Sequence, residues 1–279
     1  MMRFSVPSVC TIAGTDPSGG AGIQADLKTF QEREVYGMSV ITSVVAQNTL
    51  GVSEIDHLSV DFIDAQLRSV FSDITPDVVK TGMIATKEMM QLIGKHIKKE
   101  QLPYVMDPVM IAKSGDALMD GSSQDILRDE LVPLATIVTP NIPEAEILLD
   151  TKIKTLREME AASKQIVLDL GAKAAIVKGG HSEAAPVDVL FDGKDIHYFD
   201  AKRIETVHTH GTGCTFSACM AAELAKGKSI AEAVAIAKEY ITAAIYYSLK
   251  IGQGNGPTNH WGMRLQEVPT KQTTSFGKE

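Results

Sequence analysis

The chain has 279 residues, of which 44% are apolar and 22% charged, and a formal net charge of −8. That length allows one large domain around a single core, and the acidic balance excludes the basic surface of a general nucleic-acid binder. No run approaches the ~20 apolar residues of a membrane span, residues 1–7 lack the cationic and apolar parts of a secretory leader, and an odd number of cysteines suits a reducing compartment, so a cytoplasmic location is expected.

Residues 9–13 read as a strand, and the helix after them places Ile23, Leu27 and Phe30 on one face at i, i+4 and i+7. The alternation repeats with a strand at 40–46, a helix at 62–71, a strand at 78–80, a helix at 88–97, and strands at 104–106 and 135–139. Helices are expected at 142–149 and 156–170, then a strand at 174–177. Two short runs, 189–191 and 196–199, flank Asp192-Gly193-Lys194-Asp195 and predict an antiparallel hairpin at a sheet edge. Helix dominates again at 214–224 and 230–248, before a polar tail over 266–279. Strands alternating with helices predict an α/β fold, a mostly parallel sheet covered by helices. No linker or repeat divides residues 1–265, which are expected to form one domain.

The strongest local signal is His210-Gly211-Thr212-Gly213-Cys214-Thr215-Phe216, a glycine-rich turn opening a helix. It reads either as a tight turn before a core helix or as an anion site, where unpartnered N–H groups and the helix dipole favour negative charge. Cys214 is either a buried structural cysteine or a thiol whose thiolate the helix N-terminus stabilises. Cys10 and Cys219 sit among apolar residues and read as core. His208 and His210 lack the spacing of further metal ligands, and His210 is expected to shape the turn.

A second glycine-rich stretch, residues 14–22, follows the first strand, but its glycines do not match G-x-G-x-x-G, and G-x-x-x-x-G-K-[ST] is absent from the chain. Asp107 ends one strand segment, Asn141 and Glu144 open the helix after another, and Lys178 follows a third. Ligands gather at such carboxyl ends of parallel strands, although a helix cap with an acidic first turn also explains Asn141 and Glu144, and a solvated lysine explains Lys178.

Read together, residues 11–29, Val45-Ala46-Gln47-Asn48-Thr49, Lys80-Thr81-Gly82-Met83, Asp107-Pro108-Val109-Met110, Ala112-Lys113-Ser114-Gly115-Asp116, Thr139-Pro140-Asn141, Lys178-Gly179-Gly180-His181 and the Cys214 turn form one ordered set. The set resembles the hydroxymethylpyrimidine/phosphomethylpyrimidine kinases of thiamine biosynthesis, within the ribokinase superfamily. That resemblance covers nearly the whole chain and implies a ribokinase-like three-layer fold with a small antiparallel edge hairpin. It also implies ATP and Mg2+ as cofactors, hydroxymethylpyrimidine and its phosphate as substrates, and a homodimer.

By the same resemblance, Gly211, Thr212, Gly213 and Cys214 would form the anion hole, with Cys214 acting on the substrate hydroxyl as base or by orienting it. Lys178, Asn141 and Lys238 would contact the nucleotide, and Asp107 and Glu144 would hold magnesium. Gln47 would read the pyrimidine, with Gly14, Asp26 and Met83 lining the same pocket. Lys113, Ser114, Gly115 and Asp116 would belong to a closing flap. A pyridoxine or pyridoxal kinase is the nearest alternative, and a non-catalytic metabolite-binding regulator on the same fold is a more distant one.

Overall fold

The computed structural model describes residues 6–110, 121–180 and 186–266. In chain order the strands are β1 (Ser8–Ala13), β2 (Tyr36–Ile41), β3 (Ser43–Asn48), β4 (Gly51–His57), β5 (Val78–Thr81), β6 (Tyr104–Met106), β7 (Ile137–Val138), β8 (Ala175–Val177), β9 (Asp188–Phe191) and β10 (Ile196–Phe199). The helices are α1 (Gly22–Glu32), α2 (Val60–Asp73), α3 (Lys87–Glu100), α4 (Gly121–Ile126), α5 (Ile142–Leu149), α6 (Leu156–Leu168), α7 (Thr212–Ala225) and α8 (Ile230–Tyr246).

An eight-stranded sheet runs in the order β10-β9-β8-β7-β6-β5-β1-β2. It is parallel from β2 to β8, and β9 and β10 add the expected antiparallel hairpin at its edge. Every residue of β1, β5 and β6 is buried, which is why these strands read as continuous runs rather than as alternation. Successive side chains still divide between two cores. Cys10, Ile12, Val79, Tyr104 and Met106 pack against α2, α3, α5 and α6, whereas Val9, Val78 and Val105 pack against α1, α7 and α8. Three layers result, as the resemblance implies. Cys10 and Cys219 are buried in these two cores.

The expected strand at 40–46 is in fact two. β2 ends at Ile41, and Thr42 redirects the chain: its N–H donates to the Ala13 carbonyl, its hydroxyl to the Met83 carbonyl (3.1 Å), and its own carbonyl accepts the Leu58 N–H. β3 then pairs with β4 as a separate antiparallel hairpin, with a bulge between Ala46 and Gln47. Nothing but Gln266 of the expected tail is described, and the expected flap residues Lys113, Ser114, Gly115 and Asp116 lie outside the described residues. Among the described residues no helix is long and apolar enough to cross a membrane.

Candidate active site

Side-chain oxygens of Ser59, Thr86, Asn141, Thr155 and Ser229 cap α2, α3, α5, α6 and α8. Among the described N-caps, those of α1 and α7 carry no such side chain. The N-cap of α1 is Ala21 and that of α7 is Gly211; in α1 the Gly22 N–H reaches Cys214 and the Ile23 N–H the Gly14 carbonyl, whereas no capping side chain covers the first turn of α7. The two glycine-rich stretches lead into these two helices and meet backbone to backbone. Gly211 has φ +77°, and a Cβ there would overlap the Gly20 carbonyl oxygen. Only glycine satisfies both the left-handed backbone and that approach.

Asp16 fastens the junction. Its carboxylate accepts the N–H groups of Ser18 (2.8 Å), Gly20 (3.0 Å) and Ala21 (2.7 Å) and pairs with His210 Nε2 at 2.8 Å. Burial disfavours the charge, but bonds from His210 and Ser18 hold the carboxyl well below the usual carboxylate range. His210 therefore shapes the turn. Among the described residues no three His, Cys, Asp or Glu side chains cluster as a metal site.

Cys214, half-buried in the first turn of α7, also receives the Gly22 N–H from the start of α1. Nearby, Lys80 is fully buried with both Asp26 oxygens at 2.8 and 2.9 Å, and Asp26 accepts the Thr11 hydroxyl at 2.6 Å. Burial opposes the ammonium, but the Asp26 carboxylate outweighs it and raises Lys80 to about 12. For Cys214 burial wins. It raises the thiol to about 11, opposed by Lys80 and reinforced by Asp26 and Asp107. Of the two readings of Cys214, burial therefore favours the protonated thiol over the stabilised thiolate, with Asp26 and Asp107 adding to it. Asp26 was expected to line the pocket, yet it has no accessible surface and stands behind the wall, holding Lys80.

Asp107, Thr139, Asn141 and Lys178 sit just beyond the carboxyl ends of β6, β7 and β8. Asp107 Oδ1 accepts from Thr139 Oγ1 (3.0 Å) and Lys178 Nζ (3.2 Å), and Oδ2 from Ser217 Oγ on α7 (3.3 Å). A Cβ on Gly213 would stand 3.5 Å from both Asp107 Oδ2 and Lys178 Nζ, so this pair overhangs the first turn of α7. Burial opposes the Asp107 charge, but Lys178 and Lys80 keep its carboxyl low.

Glu144 and Asn141 form a capping box, each side chain bonded to the other's N–H at 2.8 and 2.9 Å. Burial, aided by Asp107 and opposed by Lys178, raises Glu144 to about 7. Lys238, expected at the nucleotide, instead bonds Asp188 Oδ2 (2.7 Å) and the Pro186 carbonyl (3.1 Å), while Asp188 Oδ1 holds the Gly179 N–H. Its ammonium supports the strand end that presents Lys178.

A Cβ on Gly14 would meet Met83 Cε at 2.6 Å, so these two residues lie against each other. The Thr15 N–H donates to the Ser43 carbonyl and the Val45 N–H to Thr15 Oγ1, which ties this loop to β3. Gln47 lies half-buried farther along β3, at the bulge. Sequence reasoning passed over Lys80 and Asp16 as site residues. A lysine inside the apolar strand Val78-Val79-Lys80-Thr81 was the available signal for the first.

Residues 16–259 match the model of the phosphomethylpyrimidine kinase family. A hydroxymethylpyrimidine/phosphomethylpyrimidine kinase of Staphylococcus aureus strain MRSA252 is 50% identical, across 92% of this chain and 94% of its own. Among solved structures, the Bacillus subtilis pyridoxal kinase in its ADP complex superposes with a TM-score of 0.88 at 44% identity, covering 94% of this chain and 100% of its own. The phosphomethylpyrimidine kinase of Clostridium difficile 630 does so with a TM-score of 0.78 at 43% identity, covering 86% and 99%. This chain belongs to the phosphomethylpyrimidine kinase family.

Proposed function

We propose that the chain transfers the γ-phosphoryl group of ATP to 4-amino-5-hydroxymethyl-2-methylpyrimidine, and then to its monophosphate, in thiamine biosynthesis. One observation carries the reading: the uncapped first turn of α7 lies under Asp107 and Lys178, at the carboxyl ends of the parallel strands. Donors gathered there suit a phosphoryl group in flight. Lys178 meets the nucleotide phosphates, with Asn141 beside it on the neighbouring strand end.

Asp107 and Glu144 fit a magnesium ion that keeps most of its water, since such an ion takes one or two carboxylates and substrate phosphate rather than a protein cage. It would neutralise charge on the transferring phosphoryl group. A single kinase domain over residues 1–265, a cytoplasmic location and a homodimer complete the proposal, the last resting on the family resemblance alone.

In the transfer, the hydroxymethyl oxygen bonds to the γ-phosphorus, the bond to the β–γ bridging oxygen breaks, ADP leaves, and the hydroxyl proton is lost. A thiol raised to about 11 is already protonated at neutral pH and cannot accept that proton. Cys214 therefore orients the hydroxyl. Loss of the proton late in the reaction, to phosphate oxygen or water, agrees with a loose transition state that asks little of a base. Product analysis by mass, with pyrimidine, ATP and magnesium, checks the reading: monophosphate should appear first and diphosphate later. Absence of both would overturn it.

The 44% identity to a pyridoxal kinase favours pyridoxal as the second reading. Gln47 separates the two, because a carboxamide donates and accepts at once against an aminopyrimidine edge. Gln47→Met is expected to raise KM for hydroxymethylpyrimidine by about ten-fold or more, with pyridoxal use unchanged or improved. An unchanged ratio of the two kcat/KM values would remove Gln47 from substrate recognition. Lys178→Ala is expected to raise KM for ATP by about ten-fold while leaving that for the pyrimidine within about two-fold. Equal losses for both would place the lysine outside the nucleotide site.

A further inference from the structure

The hairpin of β3 and β4 leaves the main sheet, yet its tip is tied down. Thr49, in the turn, accepts the N–H groups of Gln253 (3.1 Å) and Gly254 (3.2 Å) on Oγ1, and its carbonyl accepts that of Asn255 (2.8 Å). All three donors lie in Gly252-Gln253-Gly254-Asn255-Gly256, a glycine-alternating run beyond α8. The spacing of its glycines follows from the contact. A Cβ on Gly252 would overlap the Thr49 side chain, and one on Gly254 would overlap the Thr49 carbonyl oxygen.

From there the run continues to the anion turn. The Gly256 carbonyl accepts the His210 N–H at 3.1 Å, and the His210 carbonyl accepts the Thr258 N–H at 3.3 Å. His210 immediately precedes Gly211, and its ring holds Asp16. An unbroken line of bonds therefore joins the hairpin that carries Gln47 to the turn that opens α7. Of the two bonds to Thr49 Oγ1, that from Gln253 is exposed and that from Gly254 partly buried, so the hydroxyl forms a latch between two surface segments.

We propose that Thr49 is a positioning residue that couples occupancy of the pyrimidine pocket to the geometry of the anion turn. Pyrimidine bound at Gln47 fixes the hairpin, Thr49 passes that order to residues 252–256, and those residues fix His210 and the direction of the Gly211 turn. The inference rests on the reading of Gln47 as the pyrimidine contact. By reciprocity, order imposed at the turn is returned to the hairpin.

Thr49→Val removes the side-chain acceptor of Gln253 and Gly254 at nearly constant shape and leaves the carbonyl bond to Asn255, and Thr49→Ser retains both. Thr49→Val is expected to lower kcat for hydroxymethylpyrimidine by about ten-fold with KM for ATP within about two-fold of wild type, and Thr49→Ser to restore kcat. Hydrogen exchange supplies a readout that a merely structural role would not move. Hydroxymethylpyrimidine alone should protect the amides of 208–214 and 252–256 in the wild type, and in Thr49→Val it should protect β3 but no longer 208–214.

A Thr49→Val enzyme with wild-type kcat, or one that keeps the protection at 208–214, overturns the latch. If Thr49→Val does not fold, the wild-type exchange decides: no protection of 208–214 by the pyrimidine refutes the coupling. A wild type that fails to phosphorylate the pyrimidine overturns the functional reading and the latch with it. Turnover by the wild type together with an indifferent Thr49→Val overturns the latch alone.

Discussion

Cys214→Ala is expected to lower kcat by roughly 10²–10⁴-fold while changing ATP binding little, because the thiol acts on the reacting hydroxyl and not on the nucleotide. Cys214→Ser discriminates between its two candidate roles. A serine hydroxyl can hold the same hydrogen bond, so an orienting Cys214 predicts that serine retains clearly more activity than alanine. A thiolate base predicts that serine, whose hydroxyl ionises far less readily, is as inactive as alanine. The resting protonation state has its own check. With the thiol near 11, alkylation by iodoacetamide should be slow at pH 8 and accelerate as pH rises toward 11; Cys10 and Cys219, both raised to about 12 by burial, add little background. Fast alkylation at pH 7 would show a stabilised thiolate and reinstate the base.

The Cys214 thiol, left open between two readings, shows where sequence reasoning stops. Position in the first turn of a helix was legible from Gly211 and Gly213, and it argued for a lowered pKa. What opposes it is first burial and then the charges of Asp26 on α1 and Asp107 beyond β6, all of them properties of the folded sheet. The interior strands were legible because burial on both faces leaves apolar runs with no competing pattern. The break at Thr42 was not, since Val40, Ile41, Thr42, Val44 and Val45 are all β-branched and the Thr42-Ser43 step carries no Gly or Pro to mark a turn. β4 escaped for the opposite reason: facing solvent, it alternates half-buried Val52 and Ile55 with exposed Ser53, Glu54 and Asp56, and carries little apolar signal. The Thr49 latch joins residues 204 positions apart, beyond the reach of any local pattern.

Lys80 carries the largest expected effect on stability. Its ammonium and the Asp26 carboxylate are both without accessible surface, so each charge depends on the other for what water would otherwise supply. Lys80→Met leaves Asp26 with the Thr11 hydroxyl as its remaining close partner, and removing one member of such a pair costs about 3–5 kcal/mol. Urea denaturation should report that loss as a lower midpoint at an unchanged slope. The double variant Lys80→Met/Asp26→Leu removes both charges and fills the space with apolar atoms, and it is expected to recover most of the loss, because a buried pair is worth far less than the penalty of breaking it. Additive losses in the double variant would show that the two side chains act independently. A Lys80→Met protein as stable as wild type would mean that Asp26 is neutral in the fold, and the ion pair would then have no part in holding the floor beneath Cys214.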